Sequence, residues 1–119
     1  MNDVPTIHTP DANALPLPPH APKPTSIDGQ VESSAATWKS EDGLVETGVW
    51  ECTAGTFTAS RDGYDEVAVI LSGKATVVSD AGDTVVVGPG STLITPAGWI
   101  GTWTVHETVR KVYVLRTIS

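Results

Sequence analysis

From Val31 to Thr117 the chain alternates short apolar runs with turn residues. The runs are rich in Val, Thr, Ile and Trp, and each is bounded by Gly, Asp or Ser. This pattern predicts strands near 31–38, 44–53, 56–60, 66–72, 74–79, 84–87, 92–95, 100–106 and 110–117. The joints carry turn chemistry, as in Ser40-Glu41-Asp42-Gly43, Asp62-Gly63, Ser72-Gly73, Asp80-Ala81-Gly82-Asp83 and Gly88-Pro89-Gly90. No stretch in this region repeats apolar residues at helical spacing. Strands this short, with a turn signal every 8–12 residues or so, point to an all-β antiparallel sandwich or barrel.

Two of the strands depart from simple alternation. Glu66-Val-Ala-Val-Ile-Leu71 and Lys111-Val-Tyr-Val-Leu115 are apolar on both faces. One face of a barrel strand points inward in any case, so an apolar outer face calls for cover by another segment or by a second copy. A homodimer is therefore expected. The other source of cover is the start of the chain, where seven of nine prolines fall in the first 24 residues. Residues 1–26 have no apolar periodicity and are expected to form a Pro-rich arm, extended or partly disordered, ahead of a single barrel domain over 27–119.

Composition narrows the partners. The net charge of −7 opposes a phosphate backbone or an anionic membrane surface, so neither nucleic acid nor membrane is expected as a partner. No run approaches the roughly 20 apolar residues of a membrane span. The arm lacks a basic start and a continuous apolar core, which argues against a secretory signal. Cys52 is the lone cysteine, and with no signal segment a reducing cytoplasm is the expected compartment.

The stretch GPGSTLITPAGWIGTW (88–103) and the Glu66-to-Gly73 spacing raise the question of chemistry. Glu66 is followed by six residues and then Gly73; Gly90 is followed by five residues and then Pro96-Ala97-Gly98. These spacings resemble the two motifs of the cupin superfamily, G-x5-H-x-H-x3–4-E-x6-G and G-x5-P-x-G-x2-H-x3-N. GVWECTAGTF (48–57), DEVAVILSGKATV (65–77), VGPGSTLITPAGWIGTW (87–103) and ETVRKVYVL (107–115) are similar to one subgroup. It comprises small single-domain cupins grouped with the (S)-ureidoglycine aminohydrolase cupin domain and the ethanolamine-utilisation cupin. The resemblance implies a jelly-roll β-barrel.

In metal-binding members of that superfamily three histidines and the motif glutamate hold a divalent ion. Here the first two histidine positions fall on Ser60 and Asp62, or on Ala59 and Arg61 under the longer spacing. The third falls on Gly101 and the motif asparagine on Val105. Glu66 alone survives. His8 and His20 lie in the arm, and alternation puts His106 on the face opposite Gly101. Glu66 with Asp62 is a poor donor set for a divalent metal, so no metal ligand set and no cofactor are expected. The manganese chemistry of the ureidoglycine enzymes does not carry over.

Glu66 is the first candidate for chemistry. An inward carboxylate in an apolar barrel should have a raised pKa and could act as a general acid or base. The alternative is a structural carboxylate held by an Arg, a Lys or a Tyr hydroxyl. Tyr113 and Lys111 share one face of the last strand; if that face is internal, Tyr113 and Glu66 form the acid–base pair of a metal-free isomerase, epimerase or lyase. If it is external, both residues lie in a dimer contact or in solvent. Trp103, on the face of Gly101, is expected to line a pocket, with Trp99 capping its mouth and Tyr64 at the rim. Trp50 is a further wall candidate or a core residue, and Trp38 is expected beneath the arm. Arg61 is a solvated hairpin residue, or enters the barrel as a carboxylate partner or ligand-anion clamp, and Cys52 is a buried small hydrophobe. Three functions follow: a cupin binding a small organic ligand in its barrel, the leading one; an enzyme, either metal-free or of the ureidoglycine type; or a structural dimerisation module.

Overall fold

The structure, a computed structural model, describes residues 3–118. Met1, Asn2 and Ser119, at the outer limits of the arm and barrel segments, lie outside the described residues. The described residues form strands β1 (Ala21–Pro22), β2 (Val31–Lys39), β3 (Val45–Cys52), β4 (Gly55–Ser60), β5 (Tyr64–Ser79), β6 (Thr84–Val87), β7 (Thr92–Thr95) and β8 (Ile100–Thr117), and no helix. All pairings are antiparallel. The fold is the expected all-β jelly roll.

Two long strands carry the architecture. The first half of β5 pairs with β7 and the second half with β6. Along β8, residues 100–105 pair with β4, and residues 109–116 pair with β3, while β5 runs beside both stretches. The pattern of turn residues predicts a break at Ser72-Gly73, but the structure bends there instead. The β5–β8 register shifts at Ile70/Ser72, Ser72/Lys74 and Lys74/Ala75, and Gly73 adopts φ +86°. A Cβ at this point would run into the Thr108 carbonyl and lie 2.6 Å from Val109 Cα. Gly73 thus serves as a bulge residue that folds the sheet over itself, not as a hairpin end.

The bend sets which side chains face inward. Glu66, Ala68 and Ile70 are buried before it; Ala75, Val77 and Ser79 are buried after it. On β8 the buried set is Gly101, Trp103, Val105, then Val109, Lys111 and Tyr113. Period-2 alternation explains both lists. Cys52, Phe57, Ile70, Val87, Trp103 and Val109 belong to the apolar core.

The arm runs along the outer face of the barrel. Pro18 accepts a 2.6 Å hydrogen bond from Ser33 Oγ, His20 lies 2.8 Å from Glu51, and Arg110 donates to the Ala12 and Leu15 carbonyls. Ser33, Glu51 and Arg110 form one row across β2, β3 and β8, and residues 12–20 of the arm contact this row, while Lys23 to Ser26 turn towards Glu32 and β4. A parallel row stays open: Trp38, Thr47, Val114, Val67 and Ile94 stand opposite one another across β2, β3, β8, β5 and β7. Trp38 is 40% exposed, so it does not pack beneath the arm as the sequence suggested. Val67 and Ile94 are exposed too. No helix among the described residues is long and apolar enough to cross a membrane.

Candidate ligand pocket

A cavity of about 290 Å³ opens into the barrel. Strand alternation supplies its walls: Trp50 from β3, Phe57 and Ala59 from β4, and Trp103 with Lys111 and Tyr113 from β8. The Lys111/Tyr113 face is therefore internal, which decides between the two orientations the sequence left open. Glu66 on β5, Arg61 in the β4–β5 turn and Tyr64 at the start of β5 complete the charged side. Lys23, from the arm, also reaches the cavity.

The charged side is built around Glu66. Its Oε2 accepts hydrogen bonds from Arg61 Nη2 at 2.9 Å and from Lys111 Nζ at 3.0 Å. All three residues are buried, at 7%, 8% and 5% exposure respectively. Arg61 is fixed further by its Nε, which donates to Thr95 Oγ1 at 2.9 Å. Arg61 is thus a buried clamp and not a solvated hairpin residue. Lys111 Nζ lies 4.5 Å from the Trp50 ring and 4.8 Å from the Trp103 ring, so cation–π attraction adds to its ion pair.

The expectation of a raised Glu66 pKa is overturned. Burial pushes the carboxyl upward, but the charges of Lys111 and Arg61, with their hydrogen bonds, outweigh it and hold the group below its ordinary value. Burial pushes Lys111 downward, assisted by the charge of Arg61, while Glu66 opposes the shift. Its two cationic partners favour the ionised Glu66 carboxylate.

Tyr113 Oη donates at 2.7 Å to Glu46 Oε2, not to Glu66. Burial and the neighbouring Glu46 carboxylate raise its pKa. Glu46 and Trp50 share the inward alternation of β3, so Glu46 could have been found from the sequence by the rule that placed Trp50. Lys23 could not, because the proline-rich arm carries no period.

The motif positions explain why Glu66 keeps company with cations. Ala59 and Arg61 line the cavity while Ser60 and Asp62 are exposed, which fits the longer histidine spacing. Where a histidine would point at the motif glutamate, this chain presents Arg61. Gly101 does face inward, but the space beside it is not free. A Cβ there would lie 2.5 Å from the Trp99 ring and would meet the Val78 carbonyl. Trp99 thus occupies the space beside Gly101 and, rather than lining the main cavity, lines an adjoining hollow of about 260 Å³ with Ser60, Asp62, Ile100 and Arg61, the residue the two hollows share. Asp62 stands on that side too, so it does not join Glu66 as a second carboxylate. Among the described residues, no three His, Cys, Asp or Glu side chains gather where they could share a metal. With Oε2 occupied by two cationic donors, the donor set does not fit a divalent metal.

The aromatic side is compact. Phe57 and Trp103 stack with centroids 5.7 Å apart, and Trp50 meets both edge-on at 5.9 and 6.0 Å. Tyr64 lies at the rim, its hydroxyl 3.2 Å from the Ser60 carbonyl oxygen. Cys52 is buried behind this wall; burial pushes its thiol up to about 11, so it is unreactive at neutral pH.

Comparison with known families settles the kinship. The model of the EutQ-like cupin domain matches residues 39–113. The chain belongs to this family. A search of curated proteins finds no match. Among solved structures, the Clostridium difficile EutQ protein aligns with TM-score 0.64 and 22% identity over 74% of this chain and 69% of its own. A Pseudomonas syringae protein of unknown function from the DUF861 family aligns at TM-score 0.76 and 23% identity, over 88% of this chain but only 46% of its own. Ectoine synthase from P. lautus aligns at TM-score 0.67 and 18% identity, over 80% and 70% of the two chains. At these identities the neighbours support the cupin fold and leave the chemistry to the residues of the pocket.

Proposed function

We propose that this cupin binds a small organic ligand in its barrel without a metal and without proton-transfer catalysis. The observation that carries the reading is the Arg61–Glu66–Lys111 cluster beside an aromatic wall. The glutamate is neutralised by the chain's own cations, and Tyr113 is committed to Glu46. To act as an acid on a substrate, Tyr113 would have to give up its hydrogen bond to Glu46. What remains is a cavity with apolar faces and a few convergent polar groups, the usual form of a small-molecule site.

The test is metal content of tag-free protein purified without chelator, alongside ligand-induced thermal stabilisation. Well under one transition metal per chain, with stabilisation by a small molecule that needs no added metal, is the expected result. One tightly held metal per chain would overturn the reading.

The open row Trp38–Thr47–Val114–Val67–Ile94 supports a homodimer formed by this face against a second copy. Sedimentation equilibrium should give a dimer, and Val67→Lys should give monomers.

A further inference from the structure

The pocket's charges, its one buried donor without an acceptor and its pre-filled aromatic wall agree on a ligand class. We propose that the site takes a small organic anion, its carboxylate or equivalent oxyanion seated beside Lys111, Arg61 and Trp103. The proposal rests on the reading of the cavity as a ligand site and specifies what that site selects.

Three carboxylates stand at or beside the cavity, and each already has a cation. Glu32 pairs with Lys23 at 2.8 Å, Glu46 with Lys39 at 3.5 Å, and Glu66 with both Arg61 and Lys111. Lys39 is mostly exposed and lies outside the cavity lining, so the surplus that matters is local: Arg61 and Lys111 share the single carboxylate of Glu66. The surplus belongs to the Glu66 cluster, the most deeply buried of the three. An uncompensated buried cation is costly, and a ligand anion supplies the missing partner.

The second observation is independent of charge. Trp103 is fully buried and lines the cavity, and its indole Nε1–H is the single buried side-chain polar atom without a hydrogen-bond partner among the described residues. Buried donors are nearly always satisfied, and this unsatisfied one sits on a ring that lines the cavity. Lys111 points the same way: of its three N–H groups, one reaches Glu66, and its ammonium lies over the Trp50 and Trp103 rings.

The third observation excludes the opposite class. Three aromatic rings around a cavity commonly receive a ligand ammonium. Here the chain's own ammonium groups occupy those faces. Lys111 lies over Trp50 and Trp103, and Lys23 lies 4.4 Å from Phe57 and 5.4 Å from Trp50. An amine would meet two fixed cations where it needs ring faces. The cavity of about 290 Å³ is at the lower limit for ligand pockets, which restricts the occupant to a compact acid with a flat or short apolar body. Lys23 also makes the arm part of the site.

Charge-matched probes test the class directly: benzoate, benzamide and benzylamine, with butyrate, butyramide and butylamine as an aliphatic set. Binding is measured by calorimetry and by the Trp103 indole N–H resonance in ¹⁵N-labelled full-length protein. The carboxylates should bind at least ten-fold more tightly than the amides, shift the Trp103 resonance and weaken with salt, while the amines show no binding. Lys111→Met should weaken benzoate binding at least ten-fold, and Lys23→Met about three-fold. If Lys111→Met does not fold, Lys23→Met and the native panel decide. Amines or amides binding as tightly as the acids would overturn the anionic class and leave the ligand-site reading standing. No binding by any of the six would overturn both.

Discussion

The barrel interior has two regions that differ in everything except backbone. Ile70 and Val109 lie in the apolar core at 1% and 0% exposure; Glu66 and Lys111 lie four and two residues away on the same strands, at 7% and 5%. Burial is nearly equal, yet the forces are not. The apolar region gains from area removed from water and from close packing. The charged region gains little net stability, because desolvating three charges offsets most of their mutual attraction. An ion cluster this deep is explained better by what it presents to the cavity than by what it adds to folding.

The largest expected effect breaks the charged region alone. Glu66→Gln leaves Arg61 and Lys111 buried without a counterion and should destabilise the fold by about 3–5 kcal/mol in urea unfolding. Replacing the whole cluster, with Arg61→Met, Glu66→Leu and Lys111→Met together, should restore stability to at least the native value while abolishing ligand binding. If the triple variant is as unstable as Glu66→Gln, the cluster is a structural element and the comparison fails.

Ile70→Ala sharpens the contrast from the other side. The deletion leaves a void in the apolar core that holds Cys52, Val87 and Val109 and should cost about 3 kcal/mol, with no polar group to blame. No compensating second substitution of the same kind exists, since packing has no charge to remove. Ligand affinity should be unchanged in the folded fraction.

The two regions also differed in how far the sequence revealed them. Alternation within β5 and β8 marks Ile70, Trp103 and Val109 as inward, and the spacing of Glu66, Gly73, Pro96 and Gly98 carries the cupin fold. Alternation gives a face but not a partner. It left Lys111 and Tyr113 undecided, because a strand apolar on both sides has no self-evident inside. It placed Glu66 inward and offered Arg61 as a carboxylate partner, but could not choose that over a solvated hairpin arginine, because Arg61 lies five residues earlier and across a turn. The raised pKa expected from burial was wrong for that reason: the sign of a buried carboxylate's shift depends on neighbours that only the tertiary structure supplies. Lys23 was invisible, since nothing in the arm says which of its residues turns back into the barrel.

A pH titration probes the same contrast without mutation. The folded-state pKa of Glu66 lies below its unfolded value near 4.5, so between the two the unfolded chain binds more protons and stability rises with pH. The contribution is complete above the unfolded value and is lost as pH falls through the folded one. Native protein should therefore lose stability on acidification below about pH 4.5 more steeply than the triple variant, which lacks the carboxylate. Equal slopes would mean that other carboxylates, such as Asp65 with its Arg116 and Ala97 partners, carry the acid limb.

The smallest effect is expected at Tyr113, two residues from Lys111 on the same face. Its hydroxyl donates to Glu46, which is only half-buried and keeps Lys39 at 3.5 Å when the tyrosine hydroxyl is removed. Tyr113→Phe should thus cost about 1 kcal/mol, the net worth of one hydrogen bond whose acceptor retains a partner and water. Glu66 offers no such relief, because its partners have no second acceptor of charge to turn to. The charged region is graded: removal is tolerated at the Glu46 side, where solvent can substitute, and not at the Glu66 side, where it cannot. Tyr113→Phe should also leave benzoate affinity within about two-fold, since the binding reading gives the hydroxyl no proton to move. A loss as large as that of Lys111→Met would return Tyr113 to the centre of the site and make the acid–base reading the stronger one.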